Sequence, residues 1–407
     1  MLKLYNTLGI RLEKFVPVHD KLVTVFTCGP SVYQRAHIGN FRTFLFEDVL
    51  VRYLEYSGYR VTRGMNFTDV EDKAIREARN RCISIRDLTD DNISKFLEEM
   101  NLLRIKIPDY LPRASESVEE AVEIIEELLE KEGIAYWHQG NVYFDPLRYP
   151  GFGELYGLDM RRWPSEKRRF HRDTYPGMRW NLGDFIIWHG GRDGEISWET
   201  RIGRGRPAWN VQDPSMMIKH FRETLSVYCG GIDNLIRHHD YSRAILESIR
   251  SYPMARYWLH CHHLYVDGDK MSKSKGNLYY TDTVLAQGYG IDELRFFLIY
   301  GHYRRRLNYS ERNMKRAAGR LRAFKRMIRD IADIAKGRGN VDNNSREEIT
   351  KIFTVFMNND LDVKSAVDAL FDHISRIDIS TLSGNSARGI LKEIREVDKV
   401  LQVLFEG

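Results

Sequence analysis

The chain has 407 residues, 43% of them hydrophobic and 29% charged, with a net charge of +5. At ~150 residues per domain this length allows about two to four domains, and the balance of apolar and charged residues excludes a wholly disordered chain. No apolar run approaches the ~18 residues of a membrane-spanning helix, and residues 1–6 lack the apolar stretch of a secretory leader, so a cytoplasmic protein with no membrane partner is expected.

Residues 22–28 are apolar and β-branched enough to predict a buried strand, broken by Gly29-Pro30. Residues 40–56 then place Phe44, Leu45, Val49 and Tyr53 at helical spacing, and Gly58 offers a stop. Residues 59–66 predict a second strand, after which Thr68-Asp69-Val70-Glu71 has the pattern of a capping box opening another helix. Strand, helix and strand with short links predict an α/β fold on a doubly wound parallel sheet of Rossmann type.

Ser117-Val118-Glu119-Glu120 is a second capping-box pattern. Val118, Ala121, Val122, Ile125 and Leu129 form one apolar stripe after it, and Gly133 closes the helix. Residues 140–207 turn rich in Arg, Trp, Gly and Pro, with a short strand at 141–144, which predicts an insertion into the first domain. From residue 311 the pattern is helical to the end. Residues 315–338 hold nine Lys or Arg against two Asp, a basic face with two readings: a solvated surface, or a seat for an RNA backbone. The four cysteines, Cys28, Cys82, Cys229 and Cys261, form no C-x-x-C pair, fit a reducing compartment and read first as small buried residues. The sequence carries no signal of oligomeric state.

Two short stretches carry chemistry. His37-Ile38-Gly39-Asn40 follows the first strand at the mouth of a helix, where backbone N–H groups and the helix dipole favour an anion. A His and an Asn can donate to phosphate oxygens there, and a Gly lets a flat base approach the backbone. A His at a helix start also serves as a plain cap. Lys270-Met271-Ser272-Lys273-Ser274 is followed by Lys275-Gly276-Asn277. Two ammonium groups beside small hydroxyls on a Gly-bounded loop suit a mobile clamp that neutralises charge gathering on a leaving pyrophosphate.

Together these stretches resemble the HIGH and KMSKS signatures of class I aminoacyl-tRNA synthetases. Further matches narrow the resemblance to the cysteinyl-tRNA synthetase family: Met1-Leu2-Lys3-Leu4-Tyr5-Asn6-Thr7-Leu8, Thr27-Cys28-Gly29-Pro30-Ser31-Val32-Tyr33, Asn66-Phe67-Thr68-Asp69-Val70-Glu71-Asp72-Lys73, Pro112-Arg113-Ala114, Gly205-Arg206-Pro207-Ala208-Trp209, Gly230-Gly231-Ile232-Asp233 and Leu307-Asn308-Tyr309-Ser310-Glu311. Residues 357–371 resemble the start of that family's helical-bundle module, so the likeness runs over nearly the whole chain. It implies a catalytic domain in two parts (1–110 and 206–260), a connective insertion (111–205), a KMSKS-bearing stem-contact segment (261–312) and a helical bundle (313–407).

The resemblance also implies substrates and roles. An amino acid and ATP with Mg2+ would give an aminoacyl adenylate, and an acceptor would then take the acyl group. His37, Asn40, Lys270 and Lys273 would be catalytic, handling the α-phosphate and the departing pyrophosphate. ATP would touch Gly29, His37, Gly39, Asn40, Gly230, Gly231, Asp233, Lys270, Met271, Ser272 and Lys273, with Asp233 on a ribose hydroxyl. Cys28, Thr68, Trp209, Asp213 and His238 would line the amino-acid pocket.

Two departures bear on specificity. The family reads cysteine with zinc held by Cys, Cys, His and Glu; here Cys28 and His238 keep their types, while the other two positions fall on Asp213 and Ser242. Either Cys28, Asp213 and His238 hold a weaker three-ligand site, or zinc is gone and the thiol is no longer read by coordination. Losing two of four ligands costs more than one Asp restores, so a weak or absent zinc is the expectation, with His239, Asp240 and Cys229 nearby as possible replacements. The second departure is that the chain stops at Gly407 without the family's usual anticodon-reading domain, as in the cysteine ligase of mycothiol synthesis. The expected acceptor is tRNA, reached through the basic C-terminal helical region. A small amine as acceptor, with cysteine or another amino acid, and a catalytically silent RNA-binding paralogue are the alternatives.

Overall fold

The computed structural model describes residues 1–157, 184–271, 275–337 and 348–405. The chain opens with a hairpin of β1 (Lys3–Asn6) and β2 (Arg11–Lys14), then runs through β3 (Leu22–Thr27), α1 (Ile38–Tyr56) and β4 (Arg60–Met65). Helices α2 (Asp72–Asn80), α3 (Ile85–Leu102) and α4 (Val118–Glu130) lead to the strands β5 (Ala135–His138), β6 (Asn141–Phe144), β7 (Phe185–Gly190) and β8 (Gly205–Pro207). After α5 (Trp209–Ile218) come β9 (Leu225–Gly231), α6 (Asp240–Glu247) and β10 (Ala255–Cys261). The segment β11 (Leu264–Val266), β12 (Asp269–Lys270), α7 (Thr281–Ala286), α8 (Ile291–Ile299) and β13 (Leu307–Tyr309) precedes a bundle of α9 (Glu311–Ala335), α10 (Glu348–Met357), α11 (Val363–Ser375) and α12 (Gly384–Leu401).

The central sheet is parallel, in the order β10-β9-β3-β4. The unit β3-α1-β4 winds one way from its first strand and β9-α6-β10 the other, so strand order reverses between β3 and β9. A crevice outside the carboxyl ends of such a strand pair is where open α/β sheets take ligands. Thr27 pairs with Cys229, and the Cys28 N–H donates to the Cys229 carbonyl at 2.9 Å, so the last residues of both strands are held side by side there.

Alternation along the strands feeds two cores. Val23, Val25, Val227, Cys229, Leu259 and Cys261 bury on one face with α1, α8 and the bundle; Phe26, Cys28, Tyr228 and Trp258 bury on the other with α4, α5 and α6. The first core continues without a break from Leu2 to Leu404, so the bundle and the sheet share one apolar interior. Between β4 and β9 the chain builds a second sheet, antiparallel, in the order β5-β6-β7-β8. No helix among the described residues is long and apolar enough to cross a membrane.

The predicted strands and helices around residues 22–66, the strand at 141–144 and the helix from 311 all form. The capping box at Thr68 does not. Helix α2 starts at Asp72, with Glu71 at its N-cap and no side-chain cap bond. Thr68 is instead held extended in a parallel bridge to Ser31, which delays the helix. At the second pattern α4 starts where expected, but the Ser117 hydroxyl donates back to the Arg113 carbonyl at 2.9 Å and makes no cap bond. Cys28, Cys229 and Cys261 are buried, whereas Cys82 is exposed, on a turn with φ +54°.

Candidate active site at the sheet switch point

His37 sits at the N-cap of α1 with extended backbone, and it builds a reciprocal capping box with Asn40. The Asn40 N–H donates to His37 Nδ1 at 3.3 Å, and Asn40 Oδ1 accepts from the His37 N–H at 3.0 Å. This fixes the chemistry of both side chains. With Nδ1 used as acceptor the ring proton must sit on Nε2, and with Oδ1 occupied the Asn40 amide turns its NH2 outward. Two N–H donors therefore leave the helix mouth together, each without a partner among the described residues. Gly39 leaves space for this fold-back, since a Cβ there would lie 3.0 Å from the His37 ring and press on it.

Burial lowers His37 to about 4, opposing the pull of Asp233, so the ring is neutral at physiological pH and donates as imidazole. A neutral donor has no titration to show in the working range. The pH profile of kcat/KM for ATP should therefore lack an ascending limb near 6.5, and a limb there that disappears in His37→Gln would contradict the assignment.

Opposite this mouth, Lys270 ends β12, largely exposed, with Nζ 4.0 Å from Asp233 Oδ2. His263 lies 3.9 Å from the same carboxylate. The Ile38 N–H donates to the Tyr279 carbonyl at 3.0 Å, so the segment that follows the lysine stretch packs at this helix mouth. Met271 is buried against the first core and anchors the start of the lysine loop. Ser272, Lys273 and Ser274 lie outside the described residues. Gly230 and Gly231 end β9, and Gly29 follows β3 with its N–H donating to Asn66 Oδ1 at 2.9 Å. A Cβ on Gly29 would fall 1.8 Å from the Asn66 carbonyl oxygen, so no other residue fits without moving backbone.

The pocket behind these strand ends is lined by the expected side chains. Asp213, fully buried on α5, accepts from Asn66 Nδ2 at 3.0 Å and from the Tyr228 hydroxyl at 2.5 Å. Although burial pushes it up, the adjoining His238 ring and the Tyr228 hydroxyl hold this carboxyl below its ordinary range. Trp209 stacks on His238, ring centroids 4.0 Å apart and nearly parallel. Thr68 is buried beside Asn66, whose amide reaches its hydroxyl at 3.5 Å. Burial and the Asp213 charge raise the Cys28 thiol well above its usual value, and Asn234 Nδ2 contacts its sulfur at 3.2 Å.

The metal ligands implied by the resemblance were three, and the structure brings together four donors. Sγ of Cys28, a carboxylate oxygen of Asp213 and ring nitrogens of His238 and His239 all lie within 4.8 Å of one another. Of the other neighbours, Asp240 is turned away, accepting from the Gly153 N–H at 2.7 Å, and Cys229 points into the opposite core. The Ser242 hydroxyl is spent on the Asn210 carbonyl at 3.4 Å.

A family profile described as tRNA synthetases class I (C) catalytic domain matches residues 14–319. The chain is 37% identical to the cysteine--tRNA ligase of Chlamydia muridarum (strain MoPn / Nigg), covering 98% of this chain and 87% of that one. This chain belongs to the cysteinyl-tRNA synthetase family. The cysteine--tRNA ligase of Brachyspira hyodysenteriae is 35% identical over 99% of this chain and 86% of its own. The fold is likewise that of class I synthetases. The methionyl-tRNA synthetase of Mycobacterium tuberculosis bound by methionyl-adenylate superposes with a TM-score of 0.67 at 14% identity, covering 93% of this chain and 92% of that one. A LeuRS-tRNA-LeuAMS ternary complex from Agrobacterium radiobacter K84 gives 0.67 at 12% identity, over 96% and 85%. As a family member the chain is an ATP-binding ligase of the aminoacyl-tRNA synthetase class.

Proposed function

We propose that this chain activates cysteine with ATP and transfers the cysteinyl group to tRNA. The observation that carries the reading is the His37–Asn40 capping box, which sets two N–H donors at a helix N-terminus facing Lys270. In the first step an oxygen of the amino-acid carboxylate bonds to the α-phosphorus, the bond to the bridging oxygen breaks, and pyrophosphate leaves. His37 Nε2–H and the Asn40 amide donate to phosphate oxygens, while Lys270, and by resemblance Lys273, neutralise the leaving charge. Gly29, Gly39, Gly230, Gly231 and Met271 shape the nucleotide seat, Ser272 is assigned to ATP by resemblance alone, and Asp233 takes a ribose hydroxyl. In the second step a terminal tRNA hydroxyl bonds to the carbonyl carbon and AMP departs.

Cys28, Asp213 and His238 are of the right types to hold zinc, all are buried, and their donor atoms lie within 4.8 Å of one another. A bound zinc ion would supply a coordination position for sulfur, and with it the separation of cysteine from serine. Thr68 and Trp209 complete the pocket.

For tRNA, the basic helix offers less than its composition suggests. Arg320 is paired with Asp368, Arg322 with Glu293, Lys325 with Asp292 and Lys336 with Asp333. Arg338 lies outside the described residues. Lys315, Arg316, Arg326 and Arg329 are exposed with no acidic partner among the described residues, and these are the groups we assign to the phosphate backbone.

The test is amino-acid-dependent ATP–pyrophosphate exchange with each of the twenty amino acids, followed by charging of tRNA. Exchange with cysteine and salt-sensitive charging are expected. Exchange with a different amino acid, or none at all, would overturn the reading.

A further inference from the structure

We infer that His239 is the fourth ligand of a zinc site made of Cys28, Asp213, His238 and His239, a donor set in which the position matching the family's glutamate, Ser242, takes no part. The inference rests on the proposed function for its location and goes beyond it in the ligands.

Three features of the structure support it. The first is an orphan. His239 is completely buried, yet its Nε2 has no hydrogen-bond partner among the described residues, while it stands within 4.8 Å of a thiol, a carboxylate and a second imidazole. A buried imidazole nitrogen left unpaired among such groups is costly unless something binds it.

The second is the relay behind the ring. His239 Nδ1 is 2.8 Å from His260 Nε2, and His260 Nδ1 is 2.9 Å from the Thr7 hydroxyl. If Nε2 of His239 is a ligand, its proton sits on Nδ1 and donates to His260 Nε2; His260 then carries its proton on Nδ1 and donates to Thr7. Every group in the chain is satisfied in this direction. It is the arrangement that fixes the tautomer of a metal-bound histidine. The other ligands are held in the same manner: Asn234 contacts the Cys28 sulfur, Tyr228 and Asn66 donate to Asp213, and Trp209 stacks on His238. The contact between His238 Nε2 and Asp213 Oδ2, 2.8 Å, lacks hydrogen-bond direction and suits two neighbours on one ion.

The third is the backbone. Consecutive residues on an α-helix point ~100° apart and do not normally face one site. Leu235–His239 forms a π-helical turn, whose wider winding lets His238 and His239 face the same pocket. Room for the ring comes from Gly230, where a Cβ would lie 2.5 Å from His239 Cε1. The charges also balance: binding releases the Cys28 proton, and one thiolate and one carboxylate neutralise a divalent ion beside two neutral imidazoles.

The experiment is zinc-edge X-ray absorption on the full chain loaded with one equivalent of Zn2+, without substrates. One sulfur and three nitrogen or oxygen neighbours, with the scattering of two imidazoles, are expected. A single imidazole, or failure to retain zinc, overturns the proposal. In a chelator-treated chain titrated with Zn2+ alone, His239→Asn should weaken binding by more than the ~10–100-fold typical of losing an outer partner, and His260→Gln by about that amount. Ser242→Ala should leave it unchanged; a loss there with His239→Asn unaffected also overturns the proposal. The absorption result on the unaltered chain stands even where a variant fails to fold. Two imidazoles on zinc without cysteine-dependent exchange would uphold this site and reject the function proposed above. Cysteine-dependent exchange in a zinc-free chain would do the reverse.

Discussion

Replacing Arg295 with Met should destabilise the chain by about 3–5 kcal/mol, read from the urea midpoint at pH 7. The side chain is buried on α8 and makes four bonds: to Asp48 Oδ2 at 2.6 Å, and to the carbonyls of Leu401 at 2.9 Å, Leu103 at 2.7 Å and Arg104 at 3.1 Å. One guanidinium thus fastens α1, the turn after α3 and the end of α12. Met fills the volume but leaves the Leu103 and Leu401 carbonyls without this donor and takes from Asp48 Oδ2 and the Arg104 carbonyl one of two, Arg52 keeping the other on each. Arg295→Lys should fall between, since an ammonium keeps Asp48 but cannot reach all three carbonyls. The pH dependence follows from Asp48. Burial pushes its carboxyl up, but Arg295, Arg52 and the Lys106 N–H hold it below its ordinary value. The stability it contributes is fully present above ~4 and lost as pH falls through the folded value. The gap between the native chain and Arg295→Met should therefore be widest near neutrality and narrow below about pH 4. A gap under 1 kcal/mol at pH 7 would show that the bundle does not depend on this lock.

Periodicity exposed the sheet because β3 is a short apolar run and α1 a long apolar helix, bounded by Gly29-Pro30 and Gly58. It misread Thr68, where the letters of a capping box are present but a backbone bridge to Ser31 takes the residue instead. The same limit applied at the site. His37 and Asn40 were legible because their interaction is local, three residues apart on one helix start. His239 was legible only as one of three possible replacements beside Asp240 and Cys229, because adjacency to His238 argues against a shared pocket in a regular helix, an objection the π-helical turn removes. A His-His pair between an Arg and an Asp was the visible signal; the winding of the backbone was not. The basic stretch erred in the opposite sense. Charge counting sees Arg320, Arg322, Lys325 and Lys336, but their acids lie on other elements or a turn away, and each pair offsets positive charge that the count credits to the face.

Replacing His37 with Ala should lower the rate of ATP–pyrophosphate exchange by ~10²–10³-fold, the effect of removing one aimed donor from a developing charge. Two roles must be separated, since the residue also caps α1. Loss of an N-cap costs ~0.5–2 kcal/mol of stability, and Ser is among the best replacements at that position. His37→Ser should therefore restore the thermal midpoint lost in His37→Ala while leaving exchange low, because its hydroxyl is taken up by the helix N-terminus and is too short to reach a phosphate. Asn40→Ala removes the other donor and breaks the reciprocal bond to the His37 N–H, so it should lose both stability and rate. The defect should fall on kcat as well as on KM for ATP, as expected of contacts that strengthen when the α-phosphorus becomes five-coordinate. Recovery of exchange in His37→Ser would reduce His37 to a cap. A rate that stays low beside a restored midpoint would place its Nε2–H on the reacting phosphate.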